Sequence, residues 1–190
     1  MFPHHGPVRR GPTVAIFFPS EVLDMATATL PTFISTEDFL NHWLGHRRLT
    51  RRVIEAFPED KLFTFSIGGM RPFAELALEL ISIAGDGMEG AATGVWMTEA
   101  ERASRELARQ PRTKQELLRL WDEATAAIES WWPKIPTGRF QEVDRAFGLY
   151  EGPIYSTILY YMDNEVHHRA QGYVYLRALG IEPPAFYDRR

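Results

Sequence analysis

The chain has 190 residues, 45% of them hydrophobic and 24% charged, with a net charge of −4 and no cysteine. That composition suits one soluble globular domain with a sizeable core; no apolar run approaches the roughly 20 residues that span a bilayer, and the acidic balance argues against broad binding to a phosphate backbone. Neither a membrane nor nucleic acid is an expected partner, and without cysteine any metal site must draw on His, Asp, Glu, amide or water ligands.

Residues 1–34 read as a tail or arm, and residues 35–190 as a single domain. The start, MFPHHGPVRRGP, lacks the apolar segment of a secretory signal, so a cytoplasmic protein is expected. His4 and His5 form an exposed pair of the kind that binds metal unspecifically, and the apolar run Val14 to Phe18 lies between Pro12 and Pro19, too short to classify by period. Ser35-Thr36-Glu37-Asp38 has capping-box spacing and opens a helix to about Phe57, ahead of Pro58. Phe39, Trp43, Leu49, Val53 and Phe57 share one side of it with His42 and His46. Two histidines at i, i+4 can ligate a metal, although hydrogen-bonded core or edge histidines are commoner. The basic run Arg47 to Arg52 reads as a solvated face.

Pro58 to Gly69 reads as a loop and Pro72 to about Met88 as a second helix, with Phe73, Leu76, Ala77, Leu80, Ile81 and Ala84 on its apolar face. Glu79 sits on the border of that face, and the wheel alone places it in solvent. Gly85 to Gly94 reads as a glycine-rich loop. Thr98 to Glu101 repeats the capping signature before a short polar helix ending ahead of Pro111. Thr113 to Glu116 does so again before a long helix in which Leu117, Leu120, Trp121, Ala124, Ile128 and Trp131 recur at helical spacing. Its tryptophans read as core, because no basic stripe runs beside them. Pro133 to Gly152 reads as a crossover loop with no strand series, and Pro153 to Leu179 as the closing helix, stopped by Gly180 and Pro183-Pro184. Four main helices joined by unequal loops predict an all-α four-helix bundle.

The closing helix carries the one polar cluster suited to site chemistry. Thr157, Tyr161, Asn164, His168, Gln171, Gly172, Tyr175 and Leu179 fall within roughly 60° of His168 on a period of 3.6 residues. Asn164 and His168, at i, i+4, can point together, whereas His167 lies about 100° away. Such a pair serves either as two ligands of a metal held between facing helices or as a hydrogen-bonded polar seam. The chain contains no phosphate-cradling glycine loop, zincin pattern or nucleophile elbow.

The segment Asp163-Asn164-Glu165-Val166-His167-His168-Arg169-Ala170-Gln171, followed by Tyr175-Leu176-Arg177-Ala178-Leu179-Gly180-Ile181-Glu182-Pro183-Pro184, resembles the closing helix of the DinB/YfiT-like superfamily of metalloenzymes. Arg71-Pro72-Phe73-Ala74-Glu75-Leu76 resembles the start of that family's second helix, and Phe39 to Phe57 fits its first. The resemblance implies an up-up-down-down bundle with long crossover loops, often a homodimer, holding a divalent ion such as nickel or zinc. It carries the ligand positions onto Glu79, Asn164 and His168. Only His168 keeps the usual residue, since the family pattern has histidines at all three places, and a Glu-Asn-His set binds borderline metals more weakly than three imidazoles do. The implied activity is thiol transfer or isomerisation of a small-molecule substrate with a low-molecular-weight thiol. Tyr161, Gln171 and Tyr175 are candidates for orienting substrate or ligands, and His42 and His46 for accepting protons if the first helix faces the site. A non-catalytic bundle with a degenerate metal site, structural or binding a small molecule, is the alternative.

Overall fold

The structure is a computed structural model that describes residues 33–190; the expectations for the tail, for His4 and His5, and for Val14 to Phe18 fall outside those residues. Seven helices and one hairpin follow in order: α1 (Thr36–Ala56), α2 (Glu59–Thr64), α3 (Phe73–Leu80), α4 (Gly87–Thr93), α5 (Glu99–Ala108), α6 (Lys114–Trp131), β1 (Val143–Ala146), β2 (Tyr150–Pro153) and α7 (Ile154–Ala178). A π-helical stretch, Ile81–Asp86, joins α3 to α4 without a break. The predicted caps close as expected. The Ser35 hydroxyl accepts from the Asp38 N–H at 3.0 Å, and both Thr98 and Thr113 complete capping boxes with Glu101 and Glu116.

Four long rods, α1, α3 with α4, α6 and α7, enclose two layers of core. Near one end Val53, Phe57, Phe73, Leu80, Trp121 and Leu176 pack together; near the other Trp43, Met88, Ile128, Trp132, Ile158 and Tyr161 do so. α1 and α6 run antiparallel, since the Lys114 ammonium reaches the Glu55 carbonyl and the Trp132 indole N–H the Thr36 carbonyl. α1 and α7 run parallel, with Trp43 and Thr50 both on Glu165 and His46 on Arg169. α3 opposes α7, with Phe73 beside Gly172 and Gly87 beside Tyr161. The helix directions are therefore up-down-down-up, not the up-up-down-down order that the resemblance implies. α5 is the crossover that lets α6 start at the same end as α3.

Three loop expectations are corrected. Pro58 to Gly69 contains the one-and-a-half-turn α2, and the glycine-rich run stays helical to Thr93, ending at Gly94 in the left-handed conformation at φ 76°. The glycines of that run sit where neighbours come close: a Cβ at Gly85 would lie 2.9 Å from the Ala124 Cβ, so close packing rather than chain reversal accounts for them. Pro133 to Gly152 folds into two 3₁₀ turns and the antiparallel β1–β2 hairpin, with Val143 opposite Pro153 and Ala146 opposite Tyr150. No described helix is long and apolar enough to cross a membrane.

Candidate functional site

The polar face of α7 meets α3 at three side chains. Glu79 Oε1 lies 3.0 Å from His168 Nε2 and accepts from Asn164 Nδ2 at 3.2 Å. Helical spacing explains the meeting, because Asn164 and His168 are one turn apart on α7 and Glu79 is the α3 residue facing that turn. Glu79 is thus not the solvated border residue of the wheel; its side chain is 27% exposed, and its second oxygen takes the Arg71 guanidinium. Burial pushes its carboxyl up, but hydrogen bonds from Arg71, Asn164 and His168 outweigh that and hold it down at about 2.

The ring of His168 is held at both nitrogens. Nδ1 lies 2.7 Å from Gln171 Oε1, while the Gln171 amide nitrogen faces the Met70 sulfur at 3.3 Å. With that amide orientation Nδ1–H donates to Gln171, and Nε2 of a neutral ring turns its lone pair toward Glu79. Two acceptors at 3.0 Å repel unless a cation, either a proton or a metal ion, lies between them. Turning the Asn164 amide over would add its Oδ1 to the same point. The donors fit a divalent ion as a weak set of one carboxylate, one imidazole and one amide. Among the described residues no cluster of three or more His, Asp or Glu side chains is arranged to hold a metal, so the amide is an essential part of the set.

The remaining candidates divide. Gln171 orients His168 directly. Tyr175 is buried and donates its hydroxyl to the Arg71 carbonyl at 2.9 Å, which anchors the residue that grips Glu79. Tyr161 is buried two turns before His168, its hydroxyl resting against Gly87 with no hydrogen-bond partner among the described residues. On an unbroken α-helix Glu79 and Gly87 would stand about 80° apart; the wider π turns between them take up much of that angle, so both face α7.

His42 and His46 do not join the site. α1 packs on the other side of α7, where Arg169 Nη2 donates to His46 Nδ1 at 2.8 Å and His46 Nε2 lies 3.2 Å from His42 Nε2. Burial, with Arg169, Arg189 and His42 nearby, lowers the His46 pKa to about 3 and keeps it neutral. The two rings form a polar string toward Arg189 and touch none of Glu79, Asn164 and His168.

That α1 side holds what the sequence reading missed. Arg47 is not part of a solvated face: it is 1% exposed, stacked over Trp121 with its guanidinium carbon 3.4 Å from the ring centroid, and donates to Thr125 and to the Trp121 carbonyl. Its charge faces Glu165, also 1% exposed, at 3.6 Å. Glu165 in turn accepts from Thr50 at 2.6 Å and Trp43 at 3.3 Å and lies 3.7 Å from Arg169. Burial pulls the Arg47 guanidinium down to about 10, with Glu165 opposing it.

Two cavities border the α3–α7 seam. One, of about 430 Å³, opens between α3 and α5 and is lined by Arg71, Glu79, Ser82, Arg102, Glu106 and Arg109 among others. The second, of about 350 Å³, lies between the hairpin tip and α7 and shares Ile83 and Arg102 with the first. α5 has no buried residue; Arg105 and Arg109 tie it to Asp86, whose side chain is 3% exposed.

A four-rod helical bundle in which a carboxylate, an amide and an imidazole meet across two helices defines the class of fold. Within it the chain belongs to the DinB family, whose model matches residues 25–190. A DinB-like protein from Bacillus cereus superposes with a TM-score of 0.63 at 16% identity, covering 80% of this chain and 97% of that one. A DinB-like protein from Bacillus subtilis gives 0.61 at 19%, covering 80% and 98%. A mutant of a mycothiol-dependent maleylpyruvate isomerase gives 0.57 at 14%, covering 75% of this chain and 63% of that one. At these identities the likeness shows the fold alone. No curated protein matches the sequence.

Proposed function

We propose that the protein is a divalent-metal enzyme that transfers or isomerises a small-molecule substrate with a low-molecular-weight thiol, holding nickel or zinc through Glu79, Asn164 and His168. The observation that supports it is the convergence of the Asn164 amide and His168 Nε2 on Oε1 of Glu79, a residue that lines a cavity. A bound divalent ion with an open position lowers the pKa of water or a thiol, making it a nucleophile near neutral pH. The chain does the rest. Gln171 turns His168 Nε2 toward Glu79, and Arg71, anchored by Tyr175, holds the second carboxylate oxygen so that the first points inward. With no cysteine in the chain, the thiol comes from outside, in keeping with the fold shared with a mycothiol-dependent isomerase. The reading includes a homodimer in the cytoplasm, with neither nucleic acid nor membrane as partner.

The test is the metal content of protein carrying no polyhistidine tag, compared with His168→Ala and Glu79→Ala. Stoichiometric nickel or zinc in the parent and its loss in both variants is the expected result; equal metal in all three would sink the assignment. A second reading, a non-catalytic bundle, is favoured by one observation: Arg71, Asn164 and His168 satisfy Glu79 with no metal ion. It predicts no bound metal and no acceleration of thiol conjugation over a panel of electrophiles.

A further inference from the structure

α7 is apolar on both of its faces. Its inner stripe gives two places to charge, Glu165 and Arg169, while Tyr155, Leu159, Tyr160, Val166 and Val174 face outward, each between 37% and 56% exposed. α6 is built the usual way round, its exposed side reading Gln115, Glu116, Arg119, Asp122, Glu123 and Glu129. A helix with apolar groups all round is normally buried, and a contiguous apolar face left in water marks a contact surface.

The order of residues on that face says what covers it. Asp163, Val166, Ala170, Val174 and Arg177 are all exposed, lie within about 40° of Ala170 on a period of 3.6 residues, and extend over about 21 Å of helix. Their spacing is three, four, four and three residues, symmetric about Ala170. A two-fold axis beside Ala170 lays one α7 antiparallel on another, so that residues equally far from 170 meet. Val166 then meets the partner's Val174, Asp163 the partner's Arg177, and Ala170 the partner's Ala170. The small side chain at the crossing lets the helices approach closely, and antiparallel helix dipoles attract. A parallel pairing would instead set Asp163 against the partner's Asp163 and Arg177 against the partner's Arg177. Both charges are available: Asp163 enters no ion pair among the described residues, and Arg177 reaches Glu182 at 3.9 Å, a residue whose side chain is 87% exposed.

We infer that a second copy of this chain covers the outer face of α7, through an antiparallel two-fold pairing of α7 with the same helix of the partner, centred on Ala170. This pairing rests on the homodimer proposed above and requires no metal. Asn164 and His168 point away from the paired face, toward Glu79 on α3, so the candidate metal site stays uncovered.

The test is sedimentation equilibrium of the full chain across the micromolar range, with single and paired charge reversals. The parent is expected to dimerise. Asp163→Arg and Arg177→Asp each set like charges opposite one another twice across the axis; either alone should weaken the dimer about tenfold or more, and the two together should restore it to within about threefold of the parent. All three variants change exposed positions and should keep the helical circular dichroism. Because the chain has no cysteine, Ala170→Cys places a single thiol at the axis, and mild oxidation should link two chains through it. Ser156→Cys, which the pairing leaves about 40 Å from its counterpart, should stay unlinked. A dimer that ignores the charge reversals and does not link through position 170 overturns this inference and leaves the homodimer standing, and loss in both reversals without rescue does the same to the pairing of Asp163 with the partner's Arg177. A monomer at every concentration overturns both. In that case a thiol at position 170 that reacts slowly with a maleimide shows another part of the chain covering the face, and a fast one shows a face left bare or kept for a different protein.

Discussion

The two sides of α7 solve the problem of interior polarity in opposite ways. Toward α1, Glu165 is surrounded by Arg47, Arg169, Thr50 and Trp43 and is sealed from water. Toward α3, Glu79 meets His168, Asn164 and Arg71 at the lip of a cavity, 27% exposed. The first arrangement is closed to water: its opposite charges face one another, Arg47 Nη1 alone lacking a hydrogen bond, and it fixes the rotation of α7. The second is partly open to solvent, and Glu79 Oε1 and His168 Nε2 stand close enough to call for a cation, a proton or a metal ion, between them. A buried ion cluster on one face of a helix thereby holds the opposite face at the angle that brings Asn164 and His168 to Glu79.

The largest expected effect comes from breaking the closed side. Glu165→Leu leaves Arg47 and Arg169 buried without their counter-charge and should cost about 3–5 kcal/mol in urea denaturation. Glu79→Gln, on the half-open side, should cost no more than about 1 kcal/mol. Equal losses would erase the distinction between the two faces.

Acid should tell the faces apart next. The His46 pKa is lowered to about 3 in the fold from 6.5, so the unfolded chain takes up a proton that the folded chain refuses. The stability it contributes is complete above pH 6.5 and is lost as pH falls toward 3, at up to about 1.4 kcal/mol per unit. Glu79, lowered to about 2 from 4.5, contributes stability above 4.5 that is lost only as pH falls below that value. Denaturation midpoints should therefore begin to drop below pH 6.5 in the parent, and His46→Gln should remove that early limb while leaving the later one. The smallest effect belongs to Tyr161→Phe: removing a hydroxyl that has no partner should leave stability unchanged or raise it by up to about 1 kcal/mol, measured as a thermal midpoint.

Much of the fold could be read from punctuation. The serine and threonine caps locate the starts of α1, α5 and α6 to within a residue, because a hydroxyl three positions before an acid is a local device. Features set by packing were harder to see. Gly85, Gly87 and Gly90 look like a loop in sequence, yet each admits a neighbour, Ala124, Tyr161 or Trp96, into a continuous helix. The hairpin turn at Phe147-Gly148 lacks the Asn-Gly or Asp-Gly signal of such turns. α2 hides between Pro58 and the paired glycines. The order of helix directions depends on the path of α5, which carries no apolar face to betray it.

The site was legible in part. The stripe of Asn164, His168 and Gln171 follows from periodicity, whereas the position of Glu79 came only through family resemblance, since its border place on α3 is compatible with water as well. The buried cluster had a signal that charge obscured. Ile154, Ile158, Tyr161, Glu165, Arg169, Gly172 and Leu176 recur every three or four residues and are all buried, so Glu165 and Arg169 occupy core positions of the helix. Arg47 was hidden by its neighbours, because Arg48, Arg51 and Arg52 do lie at or near the surface in pairs with the C-terminal segment or with Asp122.

The most direct measurement is a competition titration of zinc and nickel against a chromophoric chelator. It would use metal-free protein in which His4 and His5 are replaced by alanine, so that this pair cannot contribute. The account predicts a single site in this background, weakened at least about tenfold by Glu79→Gln and by His168→Ala and unchanged by His42→Ala. Identical affinity in all of these proteins, or a loss produced by His42→Ala alone, would contradict it.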